Sequence, residues 1–343
     1  VTQIGSYVGT LLTGHIQAMT FSGPTSGTPN TEVFDVNDGA STVDLRMYGN
    51  IGTYPSGAKT RLCKAGRGTL LLQDSGHQYT GTTVLRAGRL LINANVSNGG
   101  NSVLGNCAEP IELGDTLTGA GDFPTLAFQS TGSYVVNRDL IVYPNVEASF
   151  GGISNMTALT VNSNVVLNAG STFAILAETT NATAITFAKP FAGAGSIKKV
   201  GAGRFALRNQ NTYTGSTIIS TGTLSVGEVG AVPAGSPVVL QGGSFVLNNA
   251  ATSFGTLTVA GTGTIDVANT PTVHFAKSAA VSWSGSVIFA NRASTQIYVG
   301  TDDTGLTQDQ LSKVALQPGE ARVFQASDGR LVFVKKGTVT LLR

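Results

Sequence analysis

Short apolar runs separated by turn residues recur along the whole chain, and within the runs apolar and polar positions alternate. Leu70, Leu72, Val84, Leu90 and Ile92 supply apolar positions for one face, while Thr82, Thr83 and Arg89 are polar positions free to meet water. Alternation with a period of two predicts strands buried on one side. It places strands at 68–72, 82–86 and 89–92, with turns at Asp74-Ser75-Gly76 and Ala87-Gly88. The same three strands return at 204–207, 216–219 and 223–226, and others follow at 125–128, 134–136, 159–167, 244–247, 256–259 and 263–267. Ahead of them, Phe34-Asp35-Val36 and Val43-Asp44-Leu45-Arg46-Met47 read as short strands around the turn Asn37-Asp38-Gly39.

The pattern is a repeat. Lys64-Ala65-Gly66-Arg67-Gly68-Thr69-Leu70, Tyr79-Thr80-Gly81-Thr82-Thr83-Val84 and Gly88-Arg89-Leu90-Leu91-Ile92 form the first copy. Lys199-Val200-Gly201-Ala202-Gly203-Arg204-Phe205, Tyr213-Thr214-Gly215-Ser216-Thr217-Ile218 and Gly222-Thr223-Leu224-Ser225-Val226 form the second. A strand-turn-strand unit cannot bury its apolar face alone, so such units stack into a continuous core. The fold class expected is all-β, a right-handed parallel β-helix (β-solenoid) with one short helix near the C-terminus. Gly66, Gly68, Gly81 and Gly88 suit its tight corners. At about 20 to 25 residues per coil the chain makes roughly 14 to 17 rungs.

Four segments follow from the repeats: 1–62 as lead-in strands, 63–198 and 199–295 as two solenoid blocks, and 296–343 as a C-terminal module. In the last, Thr307-Gln308-Asp309-Gln310 has capping-box spacing, and Leu306, Leu311 and Val314 make one apolar face of a helix ending near Gln317-Pro318-Gly319. Val323-Phe324-Gln325 and Leu331-Val332-Phe333-Val334 then form a hairpin. The final Val339-Thr340-Leu341-Leu342 is strand-forming and apolar, unlike the polar cap of a monomeric solenoid.

Composition narrows the function. Only 12% of the 343 residues are charged, Gly numbers 44, and the net charge is +2 with no run of Lys or Arg longer than two. That surface does not suit nucleic acid. No stretch is long and apolar enough for a transmembrane helix. A start at Val1 instead of Met reads as a mature product or a trimmed fragment. Cys63 and Cys107 leave a disulfide open, two cysteines being too few for a framework.

Candidate chemistry is sparse, and neither catalytic residues nor a cofactor are expected. Asp302-Asp303 with Asp309 reads as a solvated turn before a capped helix, and Asp35 and Asp38 as turn residues. His15, His77 and His274 share no ligand spacing. Gly66-x-Gly68 and Gly201-x-Gly203 lack the Gly-Lys-Ser/Thr of a phosphate loop. Tyr79 and Tyr213 read as corner packing more readily than as a sugar-stacking ladder. Lys64 and Lys199 read as contacts to an anionic polymer or as solvated charges that discourage edge pairing. Asn155-Met156-Thr157 and Asn181-Ala182-Thr183 fit a glycosylation sequon.

The repeat resembles the autotransporter-associated β-strand repeat, also called the passenger-associated transport repeat: Lys-x-Gly-x-Gly, Asn-x-Tyr-x-Gly, a Thr-rich strand and Gly-x-Leu. The stretch 199–226 matches nearly throughout, with Asn211-Thr212-Tyr213-Thr214-Gly215 at its centre; the stretch 64–92 departs by one extra residue and by Gly76-His77-Gln78. Phe34-Asp35-Val36-Asn37-Asp38-Gly39 is similar to a strand that precedes the family's first repeat, and the stretch from Gln296 to Leu311 to a C-terminal module of members without a barrel. The resemblance implies an extracellular or cell-surface bacterial β-helix with adhesive or structural roles and no catalytic residues. It also implies a transporter barrel after the repeats, so that this chain is cleaved from one or exported otherwise. The expected function is a structural solenoid that assembles with copies of itself into a filament or coat. An adhesin passenger binding glycans or matrix is the alternative, and a polysaccharide-active enzyme the third.

Overall fold

A computed structural model describes residues 15–16, 19–22, 26–56, 58–129, 131–153, 156–178, 184–248, 252–268, 270–292 and 295–337. The sequons at Asn155 and Asn181 and the tail Val339-Thr340-Leu341-Leu342 lie outside the described residues. The chain divides into two compact units, Val1–Gly195 and Ser196–Arg343.

In the first unit each strand lies parallel to its counterpart one coil later. Leu45 sits beside Leu70, Leu70 beside Leu90, Leu90 beside Leu126 and Leu126 beside Phe150. Because register is kept from coil to coil, the alternation in the sequence becomes one inward column; Leu70, Leu90, Leu126 and Phe150 are fully buried. A coil has three strands: Leu140–Val142, Glu147–Gly152 and Ala158–Val161 stack on Val165–Leu167, Thr172–Ala177 and Ala184–Phe187. The strand expected over 159–167 is thus two, broken at the corner Asn162-Ser163-Asn164, where Asn162 Nδ2 donates to Asn137 Oδ1 (3.0 Å) and Asn164 N to Asp139 Oδ1 (2.8 Å) of the coil before. Phe150, Phe173, Phe187 and Phe191 fill the interior with ring centroids 4.7 to 6.1 Å apart.

Two early strands correct the expected turn pairing. Asn30–Asp35 and Leu45–Met47 do not pair with each other; the first lies parallel to Thr60–Ala65 and the second to Thr69–Leu72. Each waits for the next coil to satisfy its backbone. Thr82 and Thr83, expected to meet water, are buried. The long excursion between Ile92 and Thr125 covers them: Thr82 Oγ1 donates to Pro110 O, and Thr83 Oγ1 to Leu104 O (3.5 Å).

In the second unit Phe205, Leu224, Phe245, Ile265 and Phe289 stand in register on successive coils and are all buried. The strand Thr252–Val259 shifts register between Phe254 and Thr256, at Gly255, where a Cβ would meet Gly235 O at 2.3 Å. The helix is shorter than expected, Gln308–Ser312, but starts with the expected capping box at Thr307 and Gln310. It stops because the chain turns to pair with the last coil: Val314 lies beside Val287, and Ala315 N donates to Val287 O (2.8 Å). Leu306, Leu311 and Val314 are buried as one face.

The expected hairpin forms between Glu320–Gln325 and Leu331–Lys335. Its turn reaches back to the last coil: Val299 N donates to Gly329 O (2.9 Å), and Arg330 bridges Tyr298 antiparallel. Gln325 links three segments, its Oε1 accepting from Leu306 N (2.9 Å) and its Nε2 donating to Val299 O and to Gly329 O (3.0 Å). The helix and hairpin therefore cover strand edges of the final coil that the sequence left open. The described strands stack in about 10 turns, instead of the 14 to 17 rungs expected.

Candidate functional site

The repeat motif builds a corner around a buried lysine. Lys64 stands one residue before the end of the strand Thr60–Ala65 and is 0% exposed; Lys199, at the equivalent place in Ser196–Val200, is 1% exposed. Neither is the surface charge the sequence suggested. An ammonium has three N–H donors and tolerates burial only when they are used. Lys64 Nζ donates to Ala65 O (2.8 Å), Gly66 O (2.7 Å) and Ala87 O (3.0 Å). Lys199 Nζ repeats this with Val200 O (2.7 Å), Gly201 O (2.8 Å) and Thr221 O (3.4 Å). Two acceptors belong to the lysine's own corner and the third to the corner of the next coil. Burial pulls the Lys64 ammonium down to about 8, against the opposing fields of Asp35, Cys63 and Asp44.

The glycines make room for this tie. Gly66 (φ +71°) turns the chain so that its carbonyl meets the ammonium, and a Cβ there would lie 2.4 Å from Val36 O. Gly88 (φ +64°) and Gly222 (φ +66°) sit where a Cβ would approach Gly66 O and Gly68 O at 2.5 and 2.6 Å, or Gly201 O and Gly203 O at 2.3 and 2.4 Å. Gly81 N donates to Thr60 O of the coil before (2.7 Å).

Tyr79 and Tyr213 close a second corner. Both rings are buried, and each hydroxyl meets a threonine four positions on: Thr83 Oγ1 at 2.8 Å and Thr217 Oγ1 at 2.6 Å. Corner packing is their role, and no sugar-stacking face is offered. Burial pushes the Tyr79 phenol up to about 12 and Tyr213 upward as well. Beyond the threonine the copies differ. Arg138, fully buried, donates to Thr83 Oγ1 (2.9 Å) and to Leu104 O (2.7 Å) in the first, whereas Ser236 joins Thr217 (3.2 Å) and Gly215 O (2.8 Å) in the second. Arg138 and Ser236 lie outside the motif, and sequence reasoning missed both; the shared Tyr-x-x-x-Thr spacing was the available signal for the threonines.

The remaining candidates stay apart. Asp302 caps its own turn at Thr304 N (2.9 Å) and Asp309 pairs with Lys313 (2.7 Å). Asp35 and Asp38 are exposed beside a turn that Asp44 holds, through Gly39 N (2.9 Å) and Thr69 N (2.7 Å). His77 is buried, its Nδ1 accepting from Ile51 N (2.9 Å), while His274 is exposed and stacks on Tyr298 at 4.5 Å. Among the described residues no three His, Cys, Asp or Glu side chains gather as for a metal. Cys63 and Cys107 are both free and buried, so the disulfide left open by the sequence is not formed. Cys63 stands in register between Val33 and Val84 on Thr60–Ala65, and Cys107 lies in the excursion beside Arg138, on different elements.

The lysine corner, the glycines and the tyrosine occur twice at the same offsets, and the model of the passenger-associated transport repeat matches residues 62–92 and 197–226. The chain carries two passenger-associated transport repeats. Over 70 residues it is 40% identical to the Adhesin BmaC autotransporter of Brucella suis biovar 1 (strain 1330), a stretch that covers 20% of this chain and 2% of that relative. No solved structure matches. The described strands are thus a β-solenoid carrying passenger-type repeats, and those repeats and the adhesin relative indicate a cell-surface or extracellular protein. Among the described residues no helix is long and apolar enough to cross a membrane.

Proposed function

We propose that this chain is a scaffold segment of a surface-displayed adhesive passenger, its coils holding loops at fixed positions outside the cell. One observation carries this reading: the repeats place their most costly buried groups, Lys64 and Lys199, where they lock one coil to the next, leaving the outer faces free of any required chemistry. The likeness to an adhesin autotransporter supports it. Assembly of the chain with itself is the second reading: the helix and hairpin bond to Val287 and Val299, while the apolar tail that suggested it lies outside the described residues. Light scattering after size exclusion, with negative-stain images, tests the point. Discrete particles that bind a host-cell or matrix surface fit the passenger scaffold; concentration-dependent filaments would replace it with the self-assembling coat.

A further inference from the structure

Between the corner after Thr69–Leu72, the start of the excursion and the strand Ser133–Val136 lies an open cleft of about 390 Å³. Ser75, Asn93, Asn95, Asn101, Ser133 and Tyr134 line it, and no Lys, Arg, His, Asp or Glu belongs to its wall. Such a wall has no cation for an anionic ligand and too little apolar surface for a hydrophobic one. What it offers is amides and hydroxyls, each able to donate and accept, which matches ligands whose groups do the same.

The cleft is held rigidly. The Tyr134 ring packs on Phe128 with centroids 5.3 Å apart, and Val135 N donates to Asn95 Oδ1 (2.9 Å), which fixes that amide with its nitrogen available as a donor. Asn93 Oδ1 is buried and has no donor among the described residues. Asn93 follows Ile92, which stands in register with Leu72, so the coil stack itself sets the Asn93 position.

We propose that this cleft binds a neutral saccharide unit, its hydroxyls accepting from the Asn95 amide nitrogen and pairing with the Asn101, Ser75 and Ser133 side chains around it. The proposal deepens the adhesive reading above and rests on it only for the ligand's biological source. Ligand-detected saturation-transfer NMR of the intact chain tests it, with N-acetylglucosamine, galactose, mannose and lactose as probes and N-acetylneuraminic acid as the charged comparison. Signal from at least one neutral probe at millimolar concentration is expected, weakened at least about tenfold by Ser75→Trp and by Ser133→Trp, which fill the cleft from exposed positions. Val229→Trp, at an exposed site elsewhere, should leave the signal unchanged, and circular dichroism of all three variants should match the parent. No signal from any neutral probe, binding untouched by both filling variants, or preference for the charged sugar would overturn the proposal. Those outcomes leave the scaffold reading standing, because cell-surface binding by discrete particles is measured separately.

Discussion

Lys64 Nζ lies 3.0 Å from Ala87 O, a carbonyl that belongs to the next coil's corner, and Lys199 reaches Thr221 O in the same way at 3.4 Å. A buried charge is here the fastener between coils. Replacing Lys64 by Met frees the ammonium's desolvation cost but strands Gly66 O and Ala87 O, Ala65 O keeping Val36 N, and the second effect wins because their positions are set by glycine turns that cannot relax. Lys64→Met should lower unfolding free energy by about 2 kcal/mol or more, read from the urea midpoint. Lys64→Arg should not rescue it, since a planar guanidinium cannot point three N–H groups at a tripod of carbonyls.

Gly88 and Gly222 should tolerate no side chain. Ala at either position meets both a positive φ and backbone oxygens within 2.6 Å, so each substitution should cost about 2 kcal/mol or more. Gly99→Ala is the comparison: its φ is +75° but nothing lies within 4 Å, and the expected loss is about 1 kcal/mol.

His77 should make the first unit sensitive to acid. Burial holds its imidazole down to about 4, from an ordinary value of 6.5. The unfolded chain therefore binds the extra proton first: the contribution of neutral His77 is fully present above pH 6.5 and is lost as pH falls toward 4. The loss is on the order of a few kcal/mol. Stability measured over that window for the parent and for His77→Gln should converge as the pH falls; parallel curves would refute the assignment.

Cys63 and Cys107 should be inert in the native chain and reactive in the unfolded one. Burial pushes the Cys63 thiol up to about 11 and raises Cys107 too, so little thiolate is present at neutral pH. A thiol reagent should label neither before denaturant and both after it. Failure to label after denaturation would indicate the disulfide that the structure lacks.

Strand ends were legible from the alternation even where both faces are buried, as in Thr125–Phe128. Arg89–Ile92, Thr125–Phe128, Arg204–Leu207, Thr223–Val226 and Ser244–Leu247 begin and end where the alternation puts them. What the pattern could not supply is what crosses between coils. Charge in a period-two pattern reads as solvent-facing, so Lys64 and Lys199 were placed outside; only the carbonyls gathered by Gly66, Gly88 and their later equivalents make the interior acceptable to an ammonium. Thr83 faces inward beside Leu62, its hydroxyl met by Leu104 O of the excursion and by Arg138 from the corner before Leu140–Val142, neither of which the alternation signals. The corner at Asn162-Ser163-Asn164 hid inside an apolar run because a three-residue bend needs no Gly or Pro when Asn side chains ladder to the coil before.

The central claim is that successive coils lie parallel and in register. Spin labels on cysteines placed at Ile141 and Val166, in a background lacking Cys63 and Cys107, test it directly, because these residues are register partners with outward side chains. Adjacent strands sit about 4.8 Å apart, so the continuous-wave spectrum of the pair should show strong spin–spin broadening. Labels at Ile141 and Thr160, which lie on different sheets of the coil, should show little. A sharp, non-interacting spectrum from the Ile141 and Val166 pair in folded protein would contradict the stacked-coil account.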